Sequence, residues 1–149
     1  MAKKKYYLDT SALLPFYRNE GSSYLIQKFL MDIDPPALIS NLTRVEFASA
    51  IARWVRMNEL TEAEAGLIEN TFKNDIKSGL FIGHPISTKQ INQAEKWIST
   101  RKTSLRTLDA LHLASSWSSE AEMITCDTIL HQSAKLLGIS SRLVKPKKS

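Results

Sequence analysis

Tyr6-Tyr7-Leu8-Asp9-Thr10-Ser11-Ala12-Leu13-Leu14 changes character at its acid. The first three residues are β-prone, Asp9 halts the run, and Thr10-Ser11 opens an apolar stretch before Pro15, so the segment reads as a strand feeding a helix. Met123-Ile124-Thr125-Cys126-Asp127 repeats the device: a strand ends at an acid, and a helix follows from Thr128 to Leu137 with Gly138 as its stop. A chain that does this at both ends is built from strand-to-helix units.

The middle obeys the same rule. Leu25, Ile26, Phe29 and Leu30 recur at helical spacing between Ser22 and Met31, and Asp34-Pro35-Pro36 breaks the pattern before a second strand, Ala37-Leu38-Ile39-Ser40. Val45, Ala48, Ile51, Ala52 and Val55 mark an amphipathic helix from Thr43 to Met57. Thr61 and Glu64 have capping-box spacing for a helix to Lys77, and Gly79 precedes a short strand, Leu80-Phe81-Ile82. Ser87 or Thr88 caps a further helix, Thr107 the next, and Arg142-Leu143-Val144 forms a last strand.

Strands alternating with helices of this length predict an α/β fold, a three-layer α/β/α sandwich around a mainly parallel sheet, because parallel neighbours need a crossover helix. The expected domain is single, spanning 1–149 with its core at about 5–144. Ligands in such sheets bind outside the carboxyl ends of the strands.

Composition narrows the function classes. The 149 residues are 43% hydrophobic, enough for a core, and the single cysteine, Cys126, excludes an internal disulfide. No Cys/His cluster has zinc spacing, no apolar run spans a bilayer, and Asp9 interrupts the only stretch resembling a signal peptide. A reducing, cytoplasmic setting is expected. The net charge of +5 suits a polyanion, although Lys3, Lys4, Lys5, Lys145, Lys147 and Lys148 crowd the two ends, where solvated, mobile tails are the better explanation.

Four acids stand at strand ends or early in helices: Asp9, Glu46, Asp109 and Asp127. Each has an ordinary explanation alone. Asp9 and Asp127 suit N-caps, Glu46 lies three residues after Thr43 as in a capping box, and Asp109 gains about 0.3–1 kcal/mol from a helix dipole. Together they converge on one edge of the sheet. Two such charges about 4 Å apart repel by roughly 1 kcal/mol in water and about 4 at an effective protein dielectric, which several caps do not offset. A hard divalent cation reverses that balance, and it also equips the pocket for phosphodiester hydrolysis without a Ser, Cys or His nucleophile.

Leu8-Asp9-Thr10-Ser11, Glu46 early in a helix, Leu105-Arg106-Thr107-Leu108-Asp109-Ala110-Leu111-His112-Leu113-Ala114, and Thr125-Cys126-Asp127 resemble, in order, the motifs of PIN domains. Length and the third motif resemble the toxin ribonucleases of type II toxin–antitoxin modules, often called VapC. The resemblance implies an Mg²⁺- or Mn²⁺-dependent endoribonuclease, an antitoxin protein that neutralises it, and a homodimer. It implies Asp9 and Asp109 as the principal metal ligands, with Glu46 and Asp127 joining directly or through water. Thr10, Ser11 and Thr125 fall at hydroxyl positions that support the acids, a role helix capping explains nearly as well.

PIN domains also act as RNA-processing nucleases outside toxin modules, and an inactive RNA- or protein-binding module is a further alternative. A phosphatase of the haloacid dehalogenase type is disfavoured, since Asp9-Thr10-Ser11 lacks a second Asp two positions on. His112 shares the helical face of Asp109, although such a residue more often packs beside the core. His84 and His131 have no partner at ligand spacing. Arg53 and Arg56 on the long helix, and Arg101, Lys102 and Arg106 before Asp109, are candidates to hold an RNA backbone, Arg106 first. Trp54, Trp97 and Trp117 read as packing residues, and Leu13, Leu14 and Phe16 as either core or an apolar groove for an antitoxin segment.

Overall fold

Periodicity of two places Tyr7 and Leu8 on opposite faces of one strand, and both are fully buried, so helices must cover that strand on both sides. The computed structural model, which describes residues 3–146, shows how. In chain order the elements are β1 (Tyr6–Leu8), α1 (Thr10–Tyr17), α2 (Ser23–Asp32), β2 (Ala37–Ser40), α3 (Asn41–Arg56) and α4 (Glu62–Lys77). Then come β3 (Phe81–His84), α5 (Thr88–Ser99), α6 (Thr107–Ser118), β4 (Glu122–Thr125), α7 (Thr128–Leu136) and β5 (Ser141–Leu143).

The five strands form one sheet in the order β3-β2-β1-β4-β5, and every pairing is parallel. Leu8, Ile39 and Ile124 face one apolar cluster with Leu13, Ile26, Phe47 and Phe72, from α1 to α4. Tyr7, Leu38 and Met123 face the other with Leu113, Leu130 and Ala134, from α6 and α7, while Ala94 of α5 packs on Ala110 and Ala114. The three-layer α/β/α expectation therefore holds.

Local differences have local causes. α3 begins at Asn41, not Thr43, because Ser40 is its N-cap and Thr43 supplies the reciprocal half of the capping box. The Thr43–Glu46 capping box expected from spacing is not formed, and Glu46 is released for other contacts. Thr107 is the first helical residue of α6 rather than its cap, which is Arg106 without a side-chain cap bond. Pro15 lies inside α1, which runs on to Tyr17 and forgoes one backbone bond there. Thr61 and Glu64 do form the expected box. Gly79 and Gly138 end their helices at φ of 87° and 71°, the left-handed conformation that favours glycine. Among the described residues no helix is long and apolar enough to cross a membrane. Lys147 and Lys148 lie outside the described residues, and Lys4 pairs with Glu122 at 3.1 Å.

Candidate active site

β1 pairs with β2 on one side and β4 on the other, so the strand order reverses between β1 and β4 and opens a crevice at their carboxyl ends. Asp9 is the first residue past β1, and its backbone N–H donates to Ile124 O at 3.2 Å, which fixes it against β4. The residue is buried, at 4% exposure. Oδ1 accepts from the Ala12 N–H (3.0 Å) and the Ser11 hydroxyl (2.8 Å), while Oδ2 accepts from Thr125 (2.7 Å). The same hydroxyls reach onward: Ser11 Oγ accepts from the Cys126 N–H and Thr125 Oγ1 from the Asp127 N–H, each at 3.0 Å. Asp9 is thus an N-cap as expected, and more than one. Burial pushes its carboxyl above the usual range, with His112, Thr125, Ser11 and the Ala12 amide pulling the other way.

Asp127 caps α7 through Oδ1, which accepts from the Ile129 and Leu130 N–H groups at 2.9 and 3.1 Å. Asp109 lies in the first turn of α6, and its side chain has no hydrogen bond among the described residues. Burial raises its carboxyl, the Asp127 charge raises it next, and Glu46 adds to the effect against the pull of His112 and Arg106. Asp109 of α6 therefore feels the charges of Glu46 on α3 and of Asp127 at the start of α7.

Glu46 lies in the second turn of α3, and its Oε1 accepts from Thr10 Oγ1 at 2.6 Å and meets His112 Nε2 in a very short contact. Burial opposes its ionisation, but His112 and Thr10 outweigh burial and hold its carboxyl below the usual range. His112 is no bystander in the core. It is 2% exposed, its Nδ1 lies 2.7 Å from the Tyr7 hydroxyl, and that hydroxyl donates to Ser40 Oγ at 3.0 Å. Burial pushes the Tyr7 hydroxyl up to about 12.

The cations divide by position. Arg106 caps α6 and acts on Asp109, whereas Arg53 and Arg56 occupy the last turn of α3, at the end away from Glu46. Lys145 reaches Thr128 beside Asp127, a contact that a reading of the C-terminal lysines as tail does not reveal. His131 is taken by Ser141 at 2.8 Å. Trp97 and Trp117 pack edge-to-face at 5.9 Å, and Trp54 lies under the Arg18 guanidinium. Leu13 is fully buried in the core, and Leu14 and Phe16 are partly buried against the same cluster. A largely apolar cleft of about 460 Å³ lies between α3 and α4, lined by Val45, Phe47, Ala48, Phe72 and Ile76 together with Asn41, Arg44, Glu69 and Lys73.

Among the described residues no three His, Cys, Asp or Glu side chains stand close enough for a preformed ion cage. The donor chemistry nevertheless suits a hard divalent cation, which accepts a few carboxylate oxygens and keeps its waters. Asp109 carries the fit: a carboxylate without hydrogen bonds among the described residues, raised by burial and then by its acidic neighbours, is the group whose charge a cation relieves.

Residues 6–136 match the family model of the PIN domain. No curated protein sequence matches the chain. Among solved structures, FitAcB from Neisseria gonorrhoeae is 16% identical over 91% of this chain and 95% of its own, with a TM-score of 0.66. VapC20 of Mycobacterium tuberculosis, a sarcin–ricin loop cleaving toxin, is 13% identical over 95% of this chain and 100% of its own, at 0.66. VapBC2 from Rickettsia felis, bound to a promoter DNA fragment, is 10% identical over 93% and 97%, at 0.67. At these identities the structures speak for the fold, and the match across most of the chain speaks for the family: this chain belongs to the PIN domain family.

Proposed function

We propose that the chain is a divalent-metal-dependent endoribonuclease and the toxin of a toxin–antitoxin pair. The observation that carries the reading is Asp109, without a hydrogen bond among the described residues and raised by burial and by the like charges of Asp127 and Glu46, while Asp9 and Asp127 stand just past β1 and β4 at the switch point of the sheet. Asp9 and Asp109 are the principal ligands in this proposal, and Glu46 and Asp127 join directly or through water. A cation bound there supplies Lewis-acid activation of the phosphodiester and of the attacking water, as Mg²⁺ or Mn²⁺ can.

The chain's own residues do the rest. Ser11 and Thr125 hold Asp9 on both oxygens, so its carboxylate is pre-set before substrate arrives. Asp127 is tethered by α7 amides through Oδ1, which leaves Oδ2 without a hydrogen bond among the described residues. Arg106 and Lys145 flank the acids and hold the RNA backbone against their repulsion. The toxin assignment draws on one neighbour described as a toxin and another, from Klebsiella pneumoniae, described as a toxin–antitoxin complex. An antitoxin segment is assigned to the apolar cleft between α3 and α4, and a homodimer completes the proposal.

Expressing the chain alone in bacterial cells and sequencing RNA 5′ ends tests this reading. Growth arrest with discrete new cut sites, both absent for Asp9→Asn, is the expected result. Undisturbed growth with no new RNA ends at confirmed expression counts against the toxin role.

A further inference from the structure

Below the crevice a column of buried polar groups runs through the core, although apolar side chains of similar size would fill that space without desolvation cost. Ser40, Tyr7 and His112 are 0%, 0% and 2% exposed, and each is hydrogen-bonded to the next. The column closes on itself. Ser40 caps α3, Tyr7 comes from β1, His112 from α6, and His112 meets Glu46 back on α3, in the second turn past the cap.

We propose that His112 is a positioning residue that fixes Glu46, with the Tyr7 hydroxyl as its anchor. Two contacts, from His112 Nε2 and Thr10 Oγ1, fall on the same carboxylate oxygen, Oε1. Among the described residues Oε2 has no partner, so Glu46 is offered to the crevice through one oxygen in one direction. Because Tyr7 occupies Nδ1, the ring cannot flip without breaking both of its bonds. A buried hydrogen-bonded network such as Ser40, Tyr7 and His112 specifies geometry more than it adds stability. Any effect on rate rests on the nuclease reading above; the placement of Glu46 does not.

Two substitutions separate the two ends of the ring. His112→Gln keeps an amide N–H near the position of Nε2, and His112→Asn keeps a polar group near Nδ1 but cannot reach Glu46. His112→Asn is expected to lower kcat on RNA by about 10- to 100-fold with KM within about twofold, since small misplacements of a reacting group cost that much. His112→Gln is expected to recover most of the loss. Melting temperatures of both variants monitor folding. In chelator-treated protein, the ¹⁵N resonance of His112 Nε2 is expected to move in Glu46→Gln. Wild-type kcat in His112→Asn, equal losses in both variants that track their melting temperatures, or an unmoved resonance overturns the proposal. Absence of cleavage by the wild type overturns the nuclease reading instead, and the resonance then decides the placement of Glu46 by itself.

Discussion

Asp109→Asn separates a carboxylate kept for helix stability from one kept for a cation, because the two roles predict opposite signs in metal-free protein. As a dipole partner, Asp109 contributes about 0.3–1 kcal/mol that the amide forfeits. Against this, a like charge about 8 Å away costs roughly 2 kcal/mol at an effective dielectric near 20, and partial exposure screens that to about 1 for each neighbour. Asp127 and Glu46 both act on Asp109 in this sense and burial adds to them, while His112 and Arg106 offset part of the cost. Its raised carboxyl says which side wins: ionisation costs folded stability, so that stability is greatest below the ordinary carboxylate range and declines as pH rises through the raised value. In EDTA at neutral pH, Asp109→Asn is therefore expected to gain about 0.5–1 kcal/mol, a rise in Tm of about 1–4 °C for a chain of this size. Differential scanning fluorimetry with and without Mn²⁺ reads both halves, because wild type should gain Tm from the metal and the variant should gain little. A variant that melts lower than wild type in EDTA, with an undiminished response to Mn²⁺, refutes the reasoning.

Thr125→Val removes the hydroxyl that donates to Asp9 and accepts from the Asp127 N–H, so urea unfolding should report a loss of about 1–3 kcal/mol at neutral pH. Glu46 has a lowered carboxyl, so its contribution is present above the ordinary carboxylate range and lost as pH falls through the lowered value. Stability curves of wild type and Glu46→Gln should accordingly converge on acidification and separate above that range. Arg106→Ala should raise KM for RNA with little change in kcat, and should flatten the dependence of binding on salt by about one counterion, measured by fluorescence anisotropy.

The alternation of apolar runs carried the sheet in readable form, since Tyr7 and Leu8 or Met123 and Ile124 must face opposite layers. It also placed Asp9 and Asp127 at strand ends. Glu46 was legible as an acid early in a helix but not in its partners, because capping-box spacing is the same whether the box starts at Ser40 or at Thr43. Only the packing of β2 against α3 chooses between them. His112 announced its face by lying three residues after Asp109, yet the Tyr7 hydroxyl that makes it a polar rather than an apolar core residue lies 105 positions away in sequence. Lys145 was hidden for the same reason: its neighbour Thr128 is brought to it by β5 returning beside β4.

The most direct test of the metal-dependent nuclease is cleavage of a labelled structured RNA by purified protein, with Mn²⁺ or Mg²⁺ added back after chelation. Cleavage that appears with metal, stops with EDTA and is lost in folded Asp9→Asn is the predicted outcome. Equal cleavage in EDTA, or by both Asp9→Asn and Asp109→Asn in their folded form, contradicts it.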